Sequence, residues 1–359
     1  MSLIPALPPS FEAALRDAHS RDARARRAAA ASLASPPPGQ EERAKAALRR
    51  LLDDLVGAVR GAAVAGAGSL RDTEALDVIL ARFDDGEPVV RQLAIIAVAR
   101  MGDPRAVEPL RQALSDTRPD VRFQAAVSFA ELCPNEALSA LRPLVEDEDP
   151  EVRASAASAI GTLTQEGAAD VIAPLLSDAT AHTRADAALA LAALGDSRAG
   201  PVLLEALDDP ERRFAAAAAL GEIGYGEAVE ALARITSRLL APLSLKAAAG
   251  AALARMGDPR GASALRGVLR ALRGDGRSYA AELAGELGLV ELAPDIAALV
   301  ESPRGADPVV IARALADLAP RSDEARAALE KVLRGDDAEA VAVAKAALGS
   351  IDEGACEES

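Results

Sequence analysis

The sequence predicts an all-α protein, a solenoid of about ten stacked helix pairs of roughly 31 residues each. Three observations predict it: a basic residue that recurs every 31 positions, an apolar stripe of helical period around each one, and the lack of strand-favouring runs. Half of the 359 residues are hydrophobic, yet only 2% are aromatic and Trp is absent, so the core is packed from Ala, Leu, Val and Ile. Ala has the best intrinsic helix propensity and lets helix backbones come close.

The basic series is Arg60, Arg91, Arg122, Arg153 and Arg184, continuing less regularly to Arg213, Lys246 and Arg277 and back to Arg26. Six residues before its regular members stand Asp54, Asp85, Asp116, Asp147 and Asp178, and Asp209 extends this second ladder. Pro88, Pro119, Pro150 and Pro210 come three residues before a basic member and suit the first turn of a helix, where an N–H is not needed. Apolar residues fall at −1, +3, +7 and +10 from the arginine, as in Val90, Ala94, Val98 and Met101, or Val152, Ala156, Ile160 and Leu163. That spacing places them on one face of a helix. Turns follow at 101–106, 194–199 and 256–261, each with a Gly suited to the left-handed helix cap. A second amphipathic segment comes next, such as Val107, Leu110 and Leu114. One such pair cannot bury its apolar face alone, so neighbours must stack.

The strings EVRASAASAIGTL at 151–163, RRFAAAAALGEIG at 212–224 and KAAAGAALARMGDPRG at 246–261 resemble HEAT repeats, and more narrowly the short subtype named for phycobilisome-lyase-like proteins. The resemblance covers nearly the whole chain. It implies that the arginine helices line the inner, concave wall, that the other helices form the outer wall, and that Arg and Asp pair along the ladder. The expected organisation is an N-terminal extension and capping helix over 1–19, the solenoid over 20–351 and an acidic disordered tail over 352–359.

The formal net charge of −15 argues against a general nucleic-acid binder, which needs a positive surface to release counterions from phosphates. The balance is uneven: residues 1–60 carry ten Lys/Arg against seven Asp/Glu, and the remainder 30 against 48. Two cysteines, Cys133 and Cys356, indicate no disulfide framework and a reducing compartment. The C-terminal Cys356-Glu357-Glu358-Ser359 has the length of a prenylation box, but two glutamates in its middle fit that reading poorly. The first ten residues lack the positive start of a signal peptide, and no run approaches the roughly 18 apolar residues of a membrane span. The expectation is a cytoplasmic protein with no membrane, nucleic-acid or metal partner and no cofactor.

Catalytic constellations are missing from the pattern. His19 and His182 fall in different repeats, too far apart in sequence to suggest a metal cluster, and Cys133 at a helix end reads as a small buried hydrophobe. Gly221, Gly224 and Gly226 have a loose phosphate-loop spacing but no strand before them. A charge ladder that recurs in every repeat supports the fold, since an acid–base site would occur once. Comparison with HEAT-like DNA glycosylases fails for want of aromatics to hold an extruded base.

Two surface features remain as candidates. Arg266, Arg270 and Arg273 line one face of a helix, either as a docking stripe for an anionic group or as a solvated face. On the arginine helices the positions opposite the core stripe are +1, +2, +5 and +9, and they are small or polar around Arg153: Ala154, Ser155, Ser158 and Thr162. Around Arg91 and Arg122 they include Leu93, Ile96, Phe123 and Val127, with Arg100 and Glu131 at the rim. Those side chains read either as a partner-binding patch on the concave wall or as filling between helices. Phe214 and Leu189 are weaker candidates.

Solenoids present extended surfaces, so the leading function is a non-enzymatic protein-binding scaffold or adaptor. The HEAT resemblance implies folded proteins, peptides or small GTPases as clients, for instance in a bacterial signalling or cell-polarity complex. The alternative implied by the subtype is a bilin lyase-like subunit that attaches phycocyanobilin.

Overall fold

A computed structural model describes residues 10–271, 276–303 and 305–357. Among them are 22 α-helices joined by tight turns and short 3-10 turns, and no strand. The chain divides into two compact bodies, Met1–Ala190 and Leu191–Ser359.

In the N-terminal body each basic residue of the ladder sits on its own helix: Arg26 on Ala23–Leu33, Arg60 on Gly57–Ser69, Arg91 on Pro88–Met101, Arg122 on Pro119–Leu132 and Arg153 on Pro150–Gly161. These five helices lie side by side in chain order. Shorter helices, Glu41–Leu51, Val107–Ala113 and Pro134–Leu141 among them, pack on them. The expected core stripe is the buried one: Val90, Ala94, Val98 and Met101 are at most 6% exposed, and Val152, Ala156, Ile160 and Leu163 at most 5%. Burying a side chain such as Val98 contributes about 1.5–3 kcal/mol.

Helix starts follow the prolines at 88, 119 and 150, each the first helical residue. Pro210 departs from the expectation. It stands in a turn, and the helix begins three residues later at Arg213. Helix ends follow the glycine eleven residues after the basic position, with φ +67 at Gly102 and +75 at Gly195. In the Arg60 repeat that place is held by Arg71 with φ +47, the one non-glycine residue in this region among those described.

The C-terminal body sets helices Arg213–Glu222, Leu243–Arg255, Arg277–Glu286, Pro308–Leu318 and Ala338–Glu357 side by side. Helix Ala338–Glu357 carries the backbone of residues 352–357. An uninterrupted helical stretch from Ala338, with Ala340 and Ala344 buried in the core, propagates through the acidic end.

Candidate partner-binding face

Neighbouring arginine helices are held at a fixed distance by two kinds of contact. The first is steric. A Cβ on Gly68, eight residues after Arg60, would stand 2.8 Å from Ala97 Cα, and one on Gly161, eight after Arg153, 2.9 Å from Ala190 Cα. In the C-terminal body Gly221 meets Ala252 and Gly285 meets Ala314 in the same way. The helices thus approach until backbone touches side chain, which only glycine allows at these points.

The second contact is the charge ladder, and its pairing runs between repeats. Arg60, Arg122 and Arg153 each donate through Nε and Nη2 to both oxygens of the aspartate 25 residues on, Asp85, Asp147 and Asp178, at 2.6–2.9 Å. Arg26 forks Asp54 in the same way, here 28 residues on. Nη1 of Arg60, Arg91, Arg122, Arg153 and Arg184 donates to the backbone carbonyl of the aspartate six residues back, at 2.7–2.8 Å. Each of Asp54, Asp85, Asp147 and Asp178 also accepts the N–H two residues on, which shapes the turn into the next helix. The Arg60 guanidinium holds the Asp85 carboxyl below the usual carboxylate range against the opposing effect of burial. At Asp147 burial is the largest influence and raises the pKa, but Arg122 and the Asp149 N–H together outweigh it.

Two rungs depart from this scheme, that of Arg184, whose expected partner Asp209 is held by Arg212 at 3.1 Å, and that of Arg91. Arg91 turns to Asp120, at 2.8 Å, because the side chain of Arg118 forks both oxygens of Asp116 at 2.7–2.8 Å. No spacing rule in the sequence separates Arg118 from an ordinary surface arginine.

Arg266 and Arg270 converge on the buried Asp295 of the following repeat, at 3.1 and 2.5 Å. The geometry gives these two members of the basic stripe a tether between repeats. Arg273 lies outside the described residues.

The structure narrows the opposite face. Beside Arg153, Ala154 and Ser155 are buried in the seam, with Ser155 Oγ donating to the Phe123 carbonyl at 3.0 Å, whereas Ser158 and Thr162 are exposed. Positions +1 and +2 therefore serve as seam filler in that repeat, because neighbouring arginine helices lie flank to flank, and +5 and +9 face outward. At +5 the Arg91 and Arg122 helices carry Ile96 and Val127, both half-buried, and at +9 the exposed Arg100 and Glu131. Leu93 and Phe123 are half-buried as well. Leu93 reaches within 3.2 Å of where a Cβ on Gly61 would stand, so it fills space across the seam. Beside it a cleft of about 380 Å³ is lined by Gly57, Gly61, Glu87, Val89 and Leu93, and Val89 is 63% exposed. Leu189 occupies +5 in the Arg184 repeat and is half-buried, while Phe214, in the C-terminal body, is 40% exposed and 5.7 Å from the ring of Tyr279.

Among the described residues no group of three His, Cys, Asp or Glu side chains is placed to hold a metal ion. Burial, reinforced by Glu136, pushes the Cys133 thiol up, away from the thiolate. No helix of the described residues is long and apolar enough to cross a membrane.

Comparison with known proteins places this architecture. Residues 8–99, 76–161 and 143–220 match the model of HEAT repeats, together more than half of the chain, and residues 212–237 match the PBS lyase HEAT-like repeat. No curated protein matches. Similar solved structures include YibA of Escherichia coli, at 18% identity over 69% of this chain and 93% of that one with a TM-score of 0.51, a likeness that shows the fold alone. An engineered protein is 22% identical over 95% of this chain and 98% of that one, TM-score 0.39. The complex of CpcE and CpcF of phycocyanin lyase from Nostoc sp. PCC7120 is 23% identical over 68% and 94%, TM-score 0.43. With stacked helix pairs and a family match across more than half its length, the chain belongs to the HEAT-repeat family.

Proposed function

We propose that the chain is a non-enzymatic protein-binding adaptor whose contact face crosses the Arg91 and Arg122 helices. The observation that carries this reading is the pair Ile96 and Val127. They put branched aliphatic groups, side by side, at a position held by Ala65 in the Arg60 repeat and Ser158 in the Arg153 repeat, between the exposed charges of Arg100 and Glu131. Apolar anchors within a charged rim suit a protein interface. Leu93 and Phe123 support the anchors from the seam. The client is a folded protein or helix offering an apolar face of matching size, and a small GTPase of a signalling or polarity complex belongs to that class. In affinity purification from the native host, the wild-type chain retains a partner and Ile96→Asp with Val127→Asp loses it while keeping its melting profile. A folded double variant that retains the partner moves the interface elsewhere.

The PBS lyase HEAT-like match at 212–237 favours a second reading, attachment of a bilin chromophore, and the Phe214 and Tyr279 rings would supply its aromatic contact. Phycocyanobilin mixed with the purified chain tests it: the adaptor reading expects no retained bilin absorbance, and the lyase reading expects retention that Phe214→Ala reduces.

A further inference from the structure

A pocket lies beside one of the incomplete rungs of the ladder. In the C-terminal body Lys246 holds the basic position, and 25 residues on, where Arg60, Arg122 and Arg153 find an aspartate, stands Ala271. The backbone half of that rung persists, since Arg277 Nη1 donates to the Ala271 carbonyl at 2.8 Å. Its carboxylate is missing. Among the described residues Lys246 has no hydrogen-bond or ion-pair partner, and Asp275 lies outside them.

Lys246 instead lines a pocket of about 610 Å³ between helices Val229–Ser237 and Arg260–Leu269. The charged lining residues are Glu230, Arg234, Lys246 and Arg260, one acidic and three basic, in a chain whose net charge is −15. Glu230 is bound to Arg260 at 2.8 Å, and Arg260 also holds Asp258 at 2.7 Å. Arg234 and Lys246 thus supply the unbalanced positive charge. Two further lining residues, Ser237 and Leu243, flank the loop that carries Leu239 and Leu240, which are 90% and 94% exposed. A cationic pocket with aliphatic side chains on the adjoining loop is complementary to an acidic segment that also carries leucine-like residues.

We propose that this pocket takes an Asp or Glu side chain from an acidic segment of a partner protein, the incoming carboxylate completing the rung at Lys246 while Leu239 and Leu240 meet the partner's apolar residues. The site is separate from the Ile96 and Val127 face, so it extends the protein-binding reading without depending on that face.

The test uses the full chain and a fluorescein-labelled peptide of two leucines followed by four glutamates, followed by anisotropy at low salt. Saturable binding is expected, weakened at least tenfold by Lys246→Met and severalfold by Leu239→Ser with Leu240→Ser, and unaffected by Ile96→Asp with Val127→Asp. Ala271→Asp supplies the carboxylate from the chain itself, so it should raise the melting temperature and abolish peptide binding. The proposal is overturned if the wild type does not bind, or if Lys246→Met or Ala271→Asp binds as tightly as the wild type. It is also overturned if binding emerges only in Asp275→Asn, which would mean that the chain's own carboxylate fills the pocket. Displacement of the peptide by inorganic phosphate at concentrations where acetate is inert would reassign the pocket to phosphate and overturn it as well.

Discussion

Arg122 joins two repeats through Asp147: Nε and Nη2 each donate to a carboxylate oxygen at 2.7 Å, and Nη1 holds the Asp116 carbonyl behind it at 2.8 Å. Both side chains are only 8% exposed. Removing one partner therefore leaves the other charge buried and the preceding turn without its donor. Arg122→Ala is expected to cost about 3 kcal/mol, read as a clear fall in melting temperature. Arg105→Ala, which removes a pair with Asp103 in which the arginine is 55% exposed, should shift it far less. Equal shifts would show that the ladder is no stronger than surface pairing.

The register of that ladder was legible in the sequence because charge and apolar period repeat together, and the burial of Val90, Ala94, Val98 and Met101 follows from it. Its wiring was not legible. Spacing shows that Arg and Asp recur, but which aspartate an arginine reaches depends on how far apart the helices stand. That distance is set by contacts such as Gly68 on Ala97, for which single glycines in Ala-rich helices give little signal. The detour from Arg91 to Asp120 needs knowledge of Arg118. Helical rotation places Ile96, Val127, Ala154 and Ser155 all opposite the core stripe, but Ile96 and Val127 are half-buried while Ser155 and its neighbour Ala154 are drawn into the seam, a difference that depends on how closely the next helix packs.

The glycine spacer gives a prediction with competing terms. Gly161→Ala gains at most about 1 kcal/mol of helix propensity but places a methyl 2.9 Å from Ala190 Cα and 3.1 Å from its carbonyl. Overpacking of this kind costs about 1–3 kcal/mol, so the variant should melt lower. Gly267→Ala, also in a helix and with nothing within 4 Å of the added carbon, should melt at the same temperature or higher. If Gly161→Ala proves the more stable of the two, the helices are not held apart by this contact.

Arg71 occupies a left-handed cap that Gly102 and Gly195 fill in other repeats. A non-glycine residue there costs about 1–2 kcal/mol, and glycine restores part of that after its own loss of about 0.5–1 kcal/mol in chain entropy. Arg71→Gly should accordingly raise stability by about 0.5–1 kcal/mol, measured by thermal melting. A lower melting temperature would mean that the exposed side chain makes a contact worth more than the strain.

Acid sensitivity follows from the depressed carboxyls. Asp54, Asp85 and Asp178 are each held below the ordinary value of 3.8, chiefly by the arginine that pairs with them, and Arg260 together with its backbone N–H lowers Asp258 to about 2. A folded value below the unfolded one means stability that is complete above pH about 4 and is lost as the pH falls through the depressed value. The melting temperature should stay level from neutral pH to about pH 5 and drop between about pH 4 and 2. Asp85→Asn should lower the plateau and flatten the acid slope. An unchanged slope would remove Asp85 from the account.

Hydrogen exchange of the chain with and without the partner recovered by affinity purification tests the adaptor face most directly. Added protection should fall on helices Pro88–Met101 and Pro119–Leu132, which carry Ile96 and Val127. Protection confined to other helices, with these two exchanging as in the free chain, would contradict the assignment of the partner-binding face.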